Sequence, residues 1–194
     1  MNAHRRRTAA PVLLLTFVLL AGWGCGYNQI QTLDERINAA ESQIKVQLQR
    51  RADLIPNLVE TVKAYAKQEQ AVFLGVADAR AKLAGAVQSG NLDSMAAANQ
   101  ALNAPLGRLL AIAENYPQLK SNENFRGLQD QLEGTENRIA VARQDYNETV
   151  NTYNAYIRRF PQVITAKVLG KKPRSYFELQ TPGAAEAPRV DFSK

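Results

Sequence analysis

Histidine and cysteine are nearly absent. The 194 residues hold one of each, His4 and Cys25, and both fall within the first 25 positions. Beyond residue 25 the chain has no imidazole for acid–base work or metal ligation and no thiol. That inventory excludes Ser-His-Asp and Cys-His catalysis from the body, and carboxylates alone rarely make a zinc site. One cysteine cannot close an intramolecular disulfide. No glycine-rich phosphate loop occurs. Aromatic residues make up 7% of the chain; Ala, Leu, Gln, Asn and Glu dominate, which favours helix over sheet.

Long apolar runs are also scarce. The one present is N-terminal: Arg5, Arg6 and Arg7 precede an uncharged, mostly aliphatic stretch from Ala9 to Trp23, which Gly24-Cys25-Gly26 closes. A cationic start, a short apolar core and small residues at its end describe an export signal. The run is shorter than the roughly 20 residues of a typical spanning helix, and Pro11 shortens it further. Three readings stand, in this order: lipidation at Cys25 after cleavage, one short uncleaved membrane anchor, and cleavage without lipidation. Gly24 suits the first; Gly22 and Trp23 suit it poorly. Arginines resist translocation, so Arg5 to Arg7 are expected to stay cytoplasmic and the body to face the periplasm or the outside.

Charge gives little direction to the body. The whole chain carries +6, but the three arginines before residue 25 account for half of it, leaving 21 basic and 18 acidic groups. Nucleic-acid binding needs a concentrated basic stripe; only the pairs Arg50-Arg51, Arg158-Arg159 and Lys171-Lys172 occur, so no nucleic-acid partner is expected. About 170 residues suffice for one domain with a real core.

Hydrophobic spacing supplies the fold class. Ile30, Leu33, Ile37, Ala40, Ile44 and Leu48 recur by threes and fours on one helix face. A second series runs Ile55, Val59, Val62, Ala66, Glu69, Phe73, Val76, Arg80, Leu83, Val87, with Glu69 and Arg80 as polar interruptions. Ser89-Gly90-Asn91 separates it from a third, Leu92 to Ala113: Gly90 suits a helix C-terminus and Asn91 a cap. Pro105 lies inside that third series and is expected to kink it. Asn115-Tyr116-Pro117 ends it. The fourth series, Phe125 to Ile157, keeps its rhythm so long that a helix from Ser121 to Phe160 reaches roughly 60 Å, and such a rod must lie along other helices or another chain. Pro56 is ambiguous. The phase runs through it, yet Asp53 can cap a new helix with Pro56 in its first turn; the break is the preferred reading. The predicted architecture is all-α: an elongated antiparallel four-helix bundle over 27–169, an N-terminal membrane or signal segment over 1–26, and an extended tail over 170–194 in which Tyr176, Phe177 and Phe192 are the residues able to pin it.

Chemistry is thin. Two carboxylates acting together are the one catalytic device left, with Glu114 and Glu123, or Glu133 and Glu136, as candidates; solvated helix-face acids are the preferred account. Polar groups concentrate at Arg50, Arg51, Asp53 and Asn57 and at Thr135, Glu136 and Asn137. Thr135 occupies a seam position facing the turn expected near Asp53, and Arg50 or Arg51 is placed to pair with Glu136. The preferred reading is an internal network that fixes helix register; the alternative is a patch for a ligand or partner. Tyr146, Tyr153 and Tyr156 read as amphipathic seam residues.

Several of these segments together resemble the LemA family: Gln43 to Lys63 with its Arg50-Arg51-Ala52-Asp53-Leu54-Ile55-Pro56-Asn57 core, Glu114 to Asn122, Leu128 to Ala142 with Thr135-Glu136-Asn137, Tyr146-Asn147 and Tyr153-Asn154, Tyr176-Phe177, and Ala187 to Phe192. The resemblance implies a bacterial envelope protein with an N-terminal membrane segment and an elongated antiparallel helical bundle. It implies no established enzymatic activity and no catalytic residues. Many relatives of that kind look like plain single-pass proteins, whereas Gly24-Cys25-Gly26-Tyr27-Asn28 leans toward a lipid anchor. The expected function is therefore a non-enzymatic, membrane-anchored scaffold that presents helices to a protein partner, without cofactor or metal. Self-assembly into homo-oligomers that brace or remodel the membrane is the alternative.

Overall fold

The structure is a computed structural model and describes residues 26–178. Among these residues every regular element is helical. We number the helices α1 (Tyr27–Lys63), α2 (Gln70–Ser89), α3 (Leu92–Ile112), α4 (Pro117–Lys120), α5 (Glu123–Arg158) and α6 (Gln162–Val168), with a 3-10 turn at Ala113–Asn115 before α4. The expected leader, its candidate lipid site Cys25 and Phe192 lie outside the described residues. Among those described, no helix is long and apolar enough to cross a membrane.

The chain divides into two compact units. The first combines residues 26–43 with Ala142–Tyr176; the second holds Ile44–Val141 and residues 177–178. In the first unit the buried residues are Ile30, Leu33 and Ile37 of α1, Tyr146, Val150, Tyr153 and Ile157 of α5, and Ala166 of α6. These repeat the three-four spacing that puts side chains on one helix face. In the second, Ile44, Leu48, Ile55, Leu58 and Val62 of α1 are buried, as are Val76 and Leu83 of α2, Met95, Leu102 and Leu109 of α3, and Leu132 and Ile139 of α5. Burying each such side chain contributes about 1.5–3 kcal/mol.

The α2–α3 pair follows its sequence signals. Gly90 adopts φ 68°, the left-handed conformation that ends a helix at little cost for glycine, and its N–H bonds back to Val87 O. Asn91 then caps α3, its Oδ1 accepting from Ser94 N at 2.8 Å. A two-residue link leaves the partners packed along each other as a helical hairpin. Asn122 similarly accepts from Phe125 N at 3.0 Å at the start of α5.

Pro56 does not start a new helix. It lies inside α1, which continues unbroken to Lys63, so the preferred break at Asp53–Pro56 is corrected. The interruption falls later, at residues 64–69, where Tyr65 and Ala66 N–H both bond to Val62 O. The physical reason is a substituted hydrogen bond. Proline has no N–H, so the carbonyl four residues earlier, Ala52 O, loses its helix partner. Ala52 is buried, and an orphaned buried carbonyl is costly. Arg80 of α2 supplies the donor: its Nε reaches Ala52 O at 3.0 Å. Pro105 also lies within its helix, α3. There the freed carbonyl belongs to Ala101, an exposed residue, so it needs no side-chain donor of the kind Ala52 has, solvent being able to take that place.

Candidate functional site

Two polar clusters stand out, one in each unit. In the second unit Arg51 projects from α1 into a nearly closed setting: only 5% of the residue is exposed. Its Nη1 donates to Asn99 Oδ1 and its Nη2 to Asn103 Oδ1 at 2.8 Å. Asn99 and Asn103 are four residues apart on α3, so one guanidinium fork meets two amides on one helix face. Glu136 Oε2 of α5 lies 2.6 Å from Nη1, with the Glu136 side chain 42% exposed. Arg51 thereby joins α1, α3 and α5. Burial pulls its guanidinium below its ordinary value, and the Glu136 charge opposes that pull. Arg51 Nε has no hydrogen-bond partner in the structure, and neither has the buried Gln47 Oε1 one turn earlier on α1.

The other residues expected in this patch lie elsewhere. Arg50 and Asn137 are exposed. Asp53 is exposed and accepts from Gln49 Nε2 at 2.8 Å. Asn57 sits on the exposed side of α1, where its carbonyl accepts from Thr61 Oγ1 at 2.8 Å. Thr135 is buried, but its hydroxyl donates to Gln131 O of its own helix at 2.7 Å, and there is no turn at Asp53 for it to reach. Of the seven, the structure brings together only Arg51 and Glu136. The carboxylates Glu114, Glu123 and Glu133 are all exposed.

The first unit holds a cluster that sequence reading missed. Asp34 of α1 accepts from Lys171 Nζ at 2.6 Å and from Arg174 Nη2 at 2.9 Å. Burial alone raises the Asp34 carboxyl; the hydrogen bonds from Lys171 and Arg174 and their charges outweigh it, so the group sits below its ordinary value of 3.8. The bond to Asp34 pushes Arg174 up despite some burial. Burial and then the Asp34 charge raise the Tyr153 phenol, against Lys171 and Arg174. Lys171 and Arg174 belong to an extended segment after Gly170, whose φ of 65° turns the chain out of α6.

Side chains of α5 hold that segment by its backbone. Asn154 Nδ2 donates to Arg174 O at 2.9 Å, and Arg174 N donates to Asn154 Oδ1 at 2.8 Å. One amide thus makes the two bonds that a neighbouring strand would make. Tyr153 Oη donates to Lys172 O at 3.3 Å and Tyr146 Oη to Ser175 O at 3.0 Å. The sequence signal was the repeat Tyr146-Asn147, Tyr153-Asn154, whose seven-residue period puts both pairs on one face. In the second unit, Asn99 in an apolar seam was the corresponding clue.

The LemA family profile matches residues 40–192. Among curated proteins the chain is 29% identical over 180 residues to the magnetosome proteins MamQ 2 and MamQ 1 of Paramagnetospirillum magneticum, covering 81% of this chain and 66% of theirs. It is 28% identical, over the same shares, to the magnetosome protein MamQ of Magnetospirillum gryphiswaldense. The chain therefore spans just under two thirds of the length of these relatives.

Proposed function

The chain belongs to the LemA family, and from that premise we propose that it is a non-enzymatic, membrane-anchored protein of the bacterial envelope. Its antiparallel helices present a surface to a protein partner, and its body faces away from the cytoplasm. The observation that carries the reading is how the polar clusters are engaged. Arg51 is tied to Asn99, Asn103 and Glu136, and Asp34 to Lys171 and Arg174. A reactive group must be able to meet a substrate; these groups meet one another and lock helix to helix and helix to tail. The relatives are named for a cellular body, the magnetosome, rather than for a reaction, which supports a structural or adaptor role. An open groove lined by Leu33, Arg36, Asp145, Glu148, Thr149 and Thr152 fits the same picture, because Thr149 Oγ1 and Thr152 Oγ1 already donate to Asp145 O and Glu148 O of their own helix.

The test is photo-crosslinking in intact cells from a diazirine amino acid at Leu74, which is exposed on α2. Discrete adducts with another protein support the adaptor reading. Adducts only with a second copy of the chain move the assignment to self-assembly, which the exposed Val46, Leu74 and Val141 of the second unit favour. Adducts with neither contradict both.

A further inference from the structure

Helix α6 has apolar side chains on both sides. Successive residues turn by about 100°, so Ile164 and Val168 share one side and Ala166 lies opposite. Ala166 is buried, and a helix packed that way normally turns polar residues outward. Here Ile164 is 49% and Val168 68% exposed, and Phe160, just ahead of the helix, is 81% exposed. Cations flank them: Arg158, Arg159, Lys167 and Lys172 are all exposed. From Thr149 to Phe177 the sequence has six basic residues and no acid, a segregation found nowhere else in the body.

The position of this face identifies its occupant. Gly26 adjoins the start of α6: a Cβ built there meets Gln162 Cγ at 3.3 Å and Tyr156 Oη at 3.4 Å. The uncharged run of the leader ends at Trp23, and three residues of chain span at most about 11 Å. An acyl chain on Cys25 brings the bilayer closer still. With the chain held in a membrane, by a spanning run or by an acyl chain on Cys25, α6 falls within that reach of the membrane surface. Exposed aliphatic and aromatic side chains flanked by Lys and Arg are what an interfacial helix presents to lipid, and cations near an anionic leaflet are attracted to its headgroups. Tyr27, also exposed, adds an aromatic of the kind enriched at that boundary.

We propose that Phe160, Ile164 and Val168 insert into the outer part of an anionic bilayer, with Arg158, Arg159 and Lys167 on lipid phosphates, so that α6 docks the first unit against the membrane beside the anchor. The proposal rests on the membrane anchor inferred above. It predicts that the body is held at a second point and is not free to swing on residues 24–26.

The test uses the full chain in vesicles of phosphatidylglycerol and phosphatidylcholine, doped with a phospholipid bearing a diazirine in its tail. Carbene labels are then mapped by peptide mass spectrometry. The expected result is label on the leader and on 160–168. In vesicles of phosphatidylcholine alone, the 160–168 label falls about five-fold while leader label persists. The triple change Arg158→Gln, Arg159→Gln and Lys167→Gln gives the same selective fall in anionic vesicles. A labelled leader with unlabelled 160–168 overturns the proposal and leaves the anchor standing; that pattern assigns the face to a protein. Label on 160–168 that ignores both lipid charge and the triple change overturns the headgroup contacts. Label nowhere overturns the anchor as well.

Discussion

Arg80 Nε sits 3.0 Å from Ala52 O, the carbonyl that Pro56 leaves without a helical donor. A residue of α2 thus repairs the ladder of α1, and the repair lets a proline stand inside a 37-residue helix.

Replacing Arg80 by Met removes that donor and leaves a buried acceptor unpaired, at an expected cost of about 1–3 kcal/mol. Pro56→Ala returns an N–H to the helix, so Arg80→Met in that background should cost measurably less. A double-mutant cycle from urea unfolding checks this; equal costs in the two backgrounds mean that Arg80 and Pro56 are uncoupled.

Arg51→Ala leaves Asn99 and Asn103 without their shared donor and opens a cavity, with an expected loss of about 2–4 kcal/mol. Glu136→Gln should cost less, because Asn99 and Asn103 still hold the guanidinium and the Glu136 side chain is 42% exposed, although its paired oxygen Oε2 is itself buried. Thermal melts of the two variants check the order, and a larger effect from Glu136→Gln refutes it.

The Asp34 clasp sets an acid limit. Its carboxyl lies below the unfolded value of 3.8 in the folded state, so the stabilisation is complete above that value and disappears as pH falls through the lower folded value. Asp34→Asn should lose about 1–2 kcal/mol near pH 7, and the gap from wild type should close on acidification below 3.8. Unfolding midpoints measured across that range decide; a gap independent of pH argues that the Asp34 charge is not responsible.

Asn154 pairs with both backbone groups of Arg174. Asn154→Leu removes both bonds and should free the extended segment. Trypsin should then cut after Lys171 or Arg174 about ten-fold faster, corresponding to about 1.4 kcal/mol of lost protection. Unchanged cleavage shows that the amide does not restrain the segment.

The helices were legible because burial imposes a period. Ile30-Leu33-Ile37 and Leu132-Thr135-Ile139 repeat by threes and fours wherever the chain is helical, and Gly90-Asn91 carries the chemistry of a stop and a start. Pro56 misled because a local rule, proline opening a helix, competed with a tertiary donor supplied by Arg80. Arg80 itself was visible as a polar interruption in an apolar seam, but nothing local tells which carbonyl it serves. The Arg51–Glu136 contact lay within reach because both residues flank seam positions. Asp53, Asn57 and Asn137 looked equivalent in a string and fall on exposed faces. Asp34 with Lys171 and Arg174 was out of reach: the partners are more than 130 positions apart, and no periodicity links a helix to an extended tail.

The central claim is that the buried polar network is a lock between helices and not a site for ligand or partner. Replacing both halves of a buried polar contact by apolar residues of similar size should preserve the fold, so Arg51→Met combined with Asn99→Leu separates the two roles. The measurement is the yield of Leu74 photo-crosslinks in cells expressing that double variant, with its unfolding midpoint determined in parallel. The account predicts wild-type crosslinks on a folded protein. Loss of the crosslinks with the fold intact contradicts it.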